Sequence, residues 1–286
     1  MLSAPESQPT ESVMSNRYRQ PTKAYNNRDF LESKEARPLR ILSEYMEPEQ
    51  RFATYRVDDT IVFMGSARLK PRDEAEAALH KAEAGEGEID VETARHDLEM
   101  STYYETARDL AYRLTLWSKQ LDANEKRFVV CTGGGPGVME AANRGASEAR
   151  GMNIGLSISL PQEQHENPYV TRELGFEFHY FFMRKFWFTY LAKGIVFFPG
   201  GFGTLDELFE MLTLLQTEKI RKHMPIVLFG SDFWKSVVNF DALVRYGTID
   251  ARDVELVKIT DSVDEAYTFL TQALTEYALP KPGAYL

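Results

Sequence analysis

Residues 194–212 read GIVFFPGGFGTLDELFEML, and the fold follows from how this stretch divides. Its first part is continuously apolar, with Ile195, Val196, Phe197 and Phe198, as a strand covered on both faces requires. Pro199, Gly200 and Gly201 then make a small-residue turn. After it, Leu208, Met211, Leu212 and Leu215 recur at the three- and four-residue spacing of a helix. A buried strand feeding a helix through a glycine turn is half of a βαβ unit.

The same pattern recurs along the chain. Strands are predicted at TIVFMGS (60–66), RFVVCT (127–132), MNIGLSISL (152–160), FEFHYFF (176–182), PIVLFG (225–230) and VELVKIT (254–260). Helices are predicted at 101–120, 137–150, 183–193, 204–220 and 262–274. This alternation predicts an α/β fold: a Rossmann-like, doubly wound, mostly parallel sheet with helices on both faces. Residues 51–286 form one domain on this view, interrupted at about 70–97 by a polar insertion whose alanine and charge pattern predicts an exposed helix and turn. Residues 1–50 are an N-terminal extension. Its first 28 or so residues, rich in Ser, Pro, Asn and charge, have the composition of a flexible tail. A helix follows, with Leu39, Leu42, Tyr45 and Met46 on one face, set to dock on the body or on a partner subunit.

Composition limits the partners. The chain has 286 residues, 43% of them hydrophobic, and a formal net charge of -10 from 33 Lys+Arg and 43 Asp+Glu. That balance argues against a nucleic acid polymer as partner, since such binding rests on clustered positive charge. A single cysteine, Cys131, excludes an intrachain disulfide framework and a Cys-cluster metal site, and at a strand end it suits a small buried hydrophobe. Five histidines without HxxxH spacing give no zinc signal. No signal-peptide core and no apolar span of about 18 residues is present. No membrane partner and a cytoplasmic location are therefore expected.

Three predicted strand ends carry turns of small residues: GSAR at 65–68, TGGGPG at 132–137 and PGGFGT at 199–204. One such turn serves backbone geometry alone. Three together point to a phosphate-bearing ligand, because glycines let backbone N–H groups approach an anion at a helix start. The familiar nucleotide motifs are missing: counting from Gly133, Val138 stands where GxGxxG needs its last glycine, and no GK[ST] occurs.

Two side-chain groups stand out beside these turns. Thr204 and Glu207 have the T-x-x-E spacing of a capping box, yet a carboxylate there also lies within reach of a ligand bound at the turn. Arg184 and Lys185 open a predicted helix, where cations oppose the macrodipole unless an anion accompanies them. An exposed basic face is the plainer alternative. Weaker candidates are Arg68, Glu140, Asn143, Asn167 and Tyr169, the last able to stack on a base or merely to cover its loop.

Together, TGGGPGVMEAANRGA, the MRK segment, LPQEQHENPYV and above all PGGFGTLDE closely resemble the LOG (Lonely Guy) family, often labelled "possible lysine decarboxylase", over about residues 57–275. The resemblance implies a phosphoribohydrolase that uses water to cleave the N-glycosidic bond of adenosine-type 5'-monophosphates, AMP or N6-substituted cytokinin nucleotides, giving free base and ribose 5-phosphate. It implies Arg184 and Glu207 as the catalytic pair. Gly133, Gly134, Gly135, Gly137, Gly200, Gly201, Gly203 and Thr204 would form the phosphate and ribose pocket, with Lys185 beside it and Gly65 and Ser66 from the first turn. It implies no cofactor and no metal, and a homodimer or larger homo-oligomer with sites near the interface. The alternative is a non-catalytic nucleotide- or molybdenum-cofactor-binding carrier of the same fold. A pyridoxal-phosphate decarboxylase is a poor third, with Lys185 and Lys193 as its available lysines.

Overall fold

The structure, a computed structural model, describes residues 21–121, 126–160 and 167–284. Of the tail expected over residues 1 to about 28, residues 1–20 lie outside the described residues, and Ala24–Asn26 form a 3-10 turn; residues 161–166 of the loop expected over 161–171 likewise lie outside them. Chain contacts divide the molecule into two compact units, Met1–Tyr45 and Met46–Leu286. In the first, α1 (Arg28–Glu32) is capped by Asn27, whose side chain accepts from the Phe30 N–H at 3.3 Å. Arg40 donates to the carbonyls of Leu31 and Ser33 at 2.6 and 2.7 Å. Helix α2 (Arg37–Tyr55) runs across the division, and its Leu39, Leu42 and Met46 are exposed. Further along it, Phe52 is buried with ring centroids 5.0 Å from Phe176 and 5.3 Å from Trp187.

The larger unit is built on β1 (Thr60–Met64), β2 (Val129–Thr132), β3 (Asn153–Ile158), β4 (Gly175–Phe178), β5 (Ala192–Phe197), β6 (Ile226–Phe229) and β7 (Val257–Thr260). They form a seven-stranded sheet in the order β4-β3-β2-β1-β5-β6-β7, every pair parallel. The helices between them are α3 (Arg72–Glu83), α4 (Val91–Gln120), α5 (Val138–Glu148), α6 (Phe181–Leu191), α7 (Phe202–Gln216), α8 (Ser231–Val237), α9 (Phe240–Arg245) and α10 (Val263–Ala273). Every residue of β1, β2, β5 and β6 is buried, which is why these strands lack polar alternation. The expected Rossmann-like α/β fold is the fold observed. Strand order reverses between β1 and β5, the place where open α/β sheets bind ligands beyond the carboxyl ends of their strands.

Several local expectations change. The strand expected over FEFHYFF stops at Phe178, and Phe181 and Phe182 begin α6, so Arg184 is the fourth residue of a helix and not an opening one. Helix α7 begins at Phe202 with Gly201 as N-cap and no side-chain cap bond. Thr204 and Glu207 are therefore its third and sixth residues, and the capping box expected there does not form. The backbone supplied by the glycine turn coils two residues earlier than side-chain signals suggested. The 101–120 helix is part of a 30-residue α4 whose N-cap is Asp90, its side chain accepting from the Thr93 N–H at 2.8 Å. Helices α8 and α9 carry no periodicity long enough to be read from sequence. Lys193 belongs to β5, not to the end of a helix.

Helix α5 lies close on α4 through Gly145, where a Cβ would stand 2.1 Å from the Arg108 carbonyl oxygen. At the opposite, amino end of the sheet, Asp59 is buried between Arg127 and Lys193, the latter at 3.4 Å. Arg127 also donates to the carbonyls of Ala278 and Leu279, and Lys193 to those of Lys281 and Gly283. This buried charge cluster ties the chain's last turn to the sheet.

Candidate active site

The turns after β1, β2 and β5 meet at the strand-order reversal. Their union is visible in the backbone: the Ser66 N–H donates to the Pro199 carbonyl at 2.9 Å and the Ser66 carbonyl accepts from Val138 N–H at 3.0 Å. Gly137, with φ +71, sits so close to the first turn that a Cβ would lie 2.2 Å from the Ser66 oxygen. Only glycine combines that left-handed conformation with that approach.

A cavity of about 610 Å³ opens here, lined by Gly65, Ser66, Gly133, Gly201, Gly203 and Thr204 from the turns and by Arg68, Met139, Arg184, Phe188 and Glu207. A second, of about 370 Å³, adjoins it and is lined by Gly135, Ser157, Phe176, Glu177 and Phe181. Gly133, Met139 and Arg184 border both. Of the other expected residues, Gly134, Gly137 and Gly200 lie behind the cavity walls as parts of the turns. A Cβ on Gly200 would fall 2.2 Å from the Thr204 hydroxyl oxygen, so this glycine makes room for a buried threonine side chain. Lys185 borders neither cavity; it pairs with Asp206 at 2.6 Å and Glu210 at 3.2 Å on α7.

Helices α6 and α7 bring Arg184 and Glu207 together. The guanidinium Nη2 stands 3.3 Å from Glu207 Oε1, and each side chain is 13% exposed. Burial pushes the Glu207 carboxyl up to about 7, against the opposing pull of Arg184. Burial likewise lowers the Arg184 guanidinium from its ordinary value, with Glu207 acting the other way. It stays cationic at neutral pH. The Arg184 Nε is buried and has no hydrogen-bond partner among the described residues. The rings of Phe181 and Phe188 lie 5.2 and 5.6 Å from its guanidinium carbon. A desolvated carboxyl titrating near neutrality, beside a fixed cation and glycine turns, is the kind of group that serves catalysis.

The remaining candidates divide. Arg68 reaches the cavity. Glu140 accepts from the Tyr104 hydroxyl at 2.7 Å and thus faces α4. Tyr169 lies under the Arg144 guanidinium, 5.6 Å away. Cys131 is buried, and burial pushes its thiol up. Met139, Ser157 and Glu177 are not among the expected site residues, although Met139 lies within the TGGGPGVMEAANRGA stretch. Lys185 and Lys193 are both engaged, the latter fully buried at the far end of the sheet, and neither borders the two cavities. Among the described residues, no group of three or more His, Cys, Asp or Glu is placed to hold a metal ion. No helix among them is long and apolar enough to cross a membrane.

This is a doubly wound α/β protein with a glycine-walled, carboxylate-bearing cleft at its strand-order reversal. Residues 139–270, which include Arg184 and Glu207, match the family described as "Possible lysine decarboxylase". A pyrimidine/purine nucleotide 5'-monophosphate nucleosidase of Escherichia coli K12 is 32% identical over 113 residues, 35% of this chain and 24% of that protein. The counterpart from Escherichia coli O157:H7 matches to the same extent. The match thus spans about a quarter of those relatives' length. Among solved structures, a molybdenum cofactor binding protein from Rippkaea orientalis covers 76% of this chain and 98% of its own at 17% identity and a TM-score of 0.47. A Moco carrier protein from Chlamydomonas reinhardtii does so at 76% and 99%, with 19% identity and a TM-score of 0.44. Likenesses of that size bear on no ligand here.

Proposed function

We propose that this protein is a nucleotide phosphoribohydrolase, cleaving the N-glycosidic bond of nucleoside 5'-monophosphates, adenosine-type ones foremost, to free base and ribose 5-phosphate. The observation that carries it is the buried Arg184–Glu207 pair, 3.3 Å apart, at the edge of a cavity walled by three glycine turns. The family match over 139–270 and the nucleosidase relatives agree with it.

Breaking the bond between ribose C1' and a base builds positive charge on the sugar, as in glycoside hydrolysis. The ionised Glu207 carboxylate stabilises that charge in a site where water screens little, and it orients the attacking water. Its value near 7 leaves a working fraction of carboxylate at neutral pH. Arg184 holds an anionic oxygen of the substrate through its unpartnered Nε. The turns after β1, β2 and β5 offer backbone N–H groups to the phosphate. A homodimer or larger assembly belongs to the same proposal. The exposed Phe181 and Phe202, which border the cavities, suit a second copy, and sedimentation velocity measures it.

The test is a panel of AMP, isopentenyladenosine monophosphate, GMP, CMP and UMP, each paired with its nucleoside, with released base followed by chromatography. Base release from at least one monophosphate, with little from the nucleosides, is expected. Tight nucleotide binding without product over hours would instead favour a carrier.

A further inference from the structure

Beneath the TGGGPG turn lies a fully connected polar network. Thr132, Asn143, Asn153 and Asn167 are all buried. The Asn167 side-chain amide donates to the carbonyls of Gly134 and Gly135 at 3.1 and 3.0 Å and to Asn143 Oδ1 at 3.0 Å. The Asn167 backbone N–H adds a bond to the Gly134 carbonyl at 2.8 Å. Asn143 Oδ1 also accepts from the Thr132 hydroxyl at 2.6 Å, and the Asn143 amide donates to Asn153 Oδ1 at 2.9 Å and the Ile154 carbonyl at 3.2 Å. The Gly133 carbonyl accepts from the Ser157 hydroxyl at 3.3 Å.

The carbonyls of Gly133, Gly134 and Gly135 are therefore all held by side-chain donors. In a trans peptide the carbonyl of one residue and the N–H of the next point in opposite directions, and the chain has no cis bonds. The rule is visible at the first of these peptides: with the Gly133 carbonyl on Ser157, the Gly134 N–H turns back to the Thr132 hydroxyl oxygen at 2.9 Å. At the next, two donors of Asn167 fix the Gly134 carbonyl, so the Gly135 N–H faces away from Asn167, and Gly135 borders the 370 Å³ cavity. Gly134 adopts φ +71 to allow this. Were that peptide reversed, a carbonyl oxygen would meet the ligand and repel an anion.

We propose that Asn143 and Asn167 are positioning residues: they lock the Gly134–Gly135 peptide so that the Gly135 N–H is presented as a fixed donor to an anionic oxygen of the substrate. This rests on the phosphoribohydrolase reading for the identity of that substrate. Asn167→Asp replaces the donor with an oxygen facing two carbonyls and favours the reversed peptide. Asn167→Ala only releases it, and serves as the second variant should the first fold poorly.

Steady-state kinetics with AMP is the experiment, on variants whose folding is checked by circular dichroism. KM is expected to rise about 10- to 100-fold, the loss of one hydrogen bond to a charged group, with kcat within about threefold and Asp more severe than Ala. A purely structural role would instead lower kcat through a reduced active fraction and leave KM unchanged; that result overturns the proposal. If the wild type neither binds nor cleaves AMP, the functional reading fails. The crystal structure of Asn167→Asp then decides the positioning claim: a reversed Gly134–Gly135 peptide supports it and an unmoved one refutes it.

Discussion

Glu207→Gln should remove activity and add stability, with the second effect confined to high pH. The carboxyl is held at about 7 in the folded protein against 4.5 for an ordinary glutamate, chiefly by burial. The folded state thus keeps a proton that the unfolded chain gives up. Stability associated with this group is fully present below about pH 4.5 and is lost as pH rises through about 7. Each pKa unit corresponds to about 1.4 kcal/mol, so ionised Glu207 withholds on the order of 3 kcal/mol at pH 8 and above. Glutamine mimics the protonated acid and escapes that cost. Urea unfolding should find Glu207→Gln more stable than wild type by about 2–3 kcal/mol at pH 8 and equal to it near pH 4.5. Base release from AMP should fall at least about 100-fold, a common loss for one electrostatic group. In the wild type, kcat/KM should climb about tenfold per pH unit below about 7 and level off above it. A variant less stable than wild type at pH 8, or one that keeps its rate, would refute the assignment of Glu207 as a strained, working carboxylate.

Other perturbations test the surroundings. A Cβ on Gly201 or Gly203 would meet nothing within 4 Å, so Gly201→Ala and Gly203→Ala should unfold within about 1 kcal/mol of wild type yet raise KM for nucleotide, because the added methyl enters ligand space; unchanged kinetics would place the phosphate elsewhere. Gly145→Ala should destabilise by more than about 2 kcal/mol through the clash with the Arg108 carbonyl, measured by thermal unfolding, without altering KM in the folded fraction. Lys193→Met leaves Asp59 with one buried cation and should cost on the order of 3 kcal/mol, read from the urea midpoint.

Much of the architecture was legible because it depends on short-range chemistry. Continuous apolar runs such as Ile61–Phe63 and Ile195–Phe197 force burial on both faces, and that requirement alone separates a covered parallel sheet from a half-exposed antiparallel one. Turns of glycine at three strand ends pointed to the cleft at the strand-order reversal, since backbones approach closely there without a Cβ, with positive φ needed only at Gly134 and Gly137. Glu207 shows where local rules stop. Its T-x-x-E spacing satisfied a capping box, but the helix starts at Phe202 on backbone geometry that no side-chain pattern records.

Short-range chemistry thus accounts for the strand-turn-helix alternation, the covered sheet and the glycine turns at the strand ends. The tertiary structure alone decided which side chains meet. Arg184 and Glu207 lie 23 positions apart on different helices, and their 3.3 Å contact comes from strand order, which sets α6 and α7 side by side. Desolvation decided the rest: a carboxyl titrates near 7 only because the packed helices exclude water from it, and exclusion of water is a property of the whole assembly. Asn143 and Asn167, weak candidates as isolated polar residues, acquire a role only when the fold brings them beneath the same turn. A buried amide can orient a peptide only where tertiary packing has removed the water that would otherwise compete for its bonds.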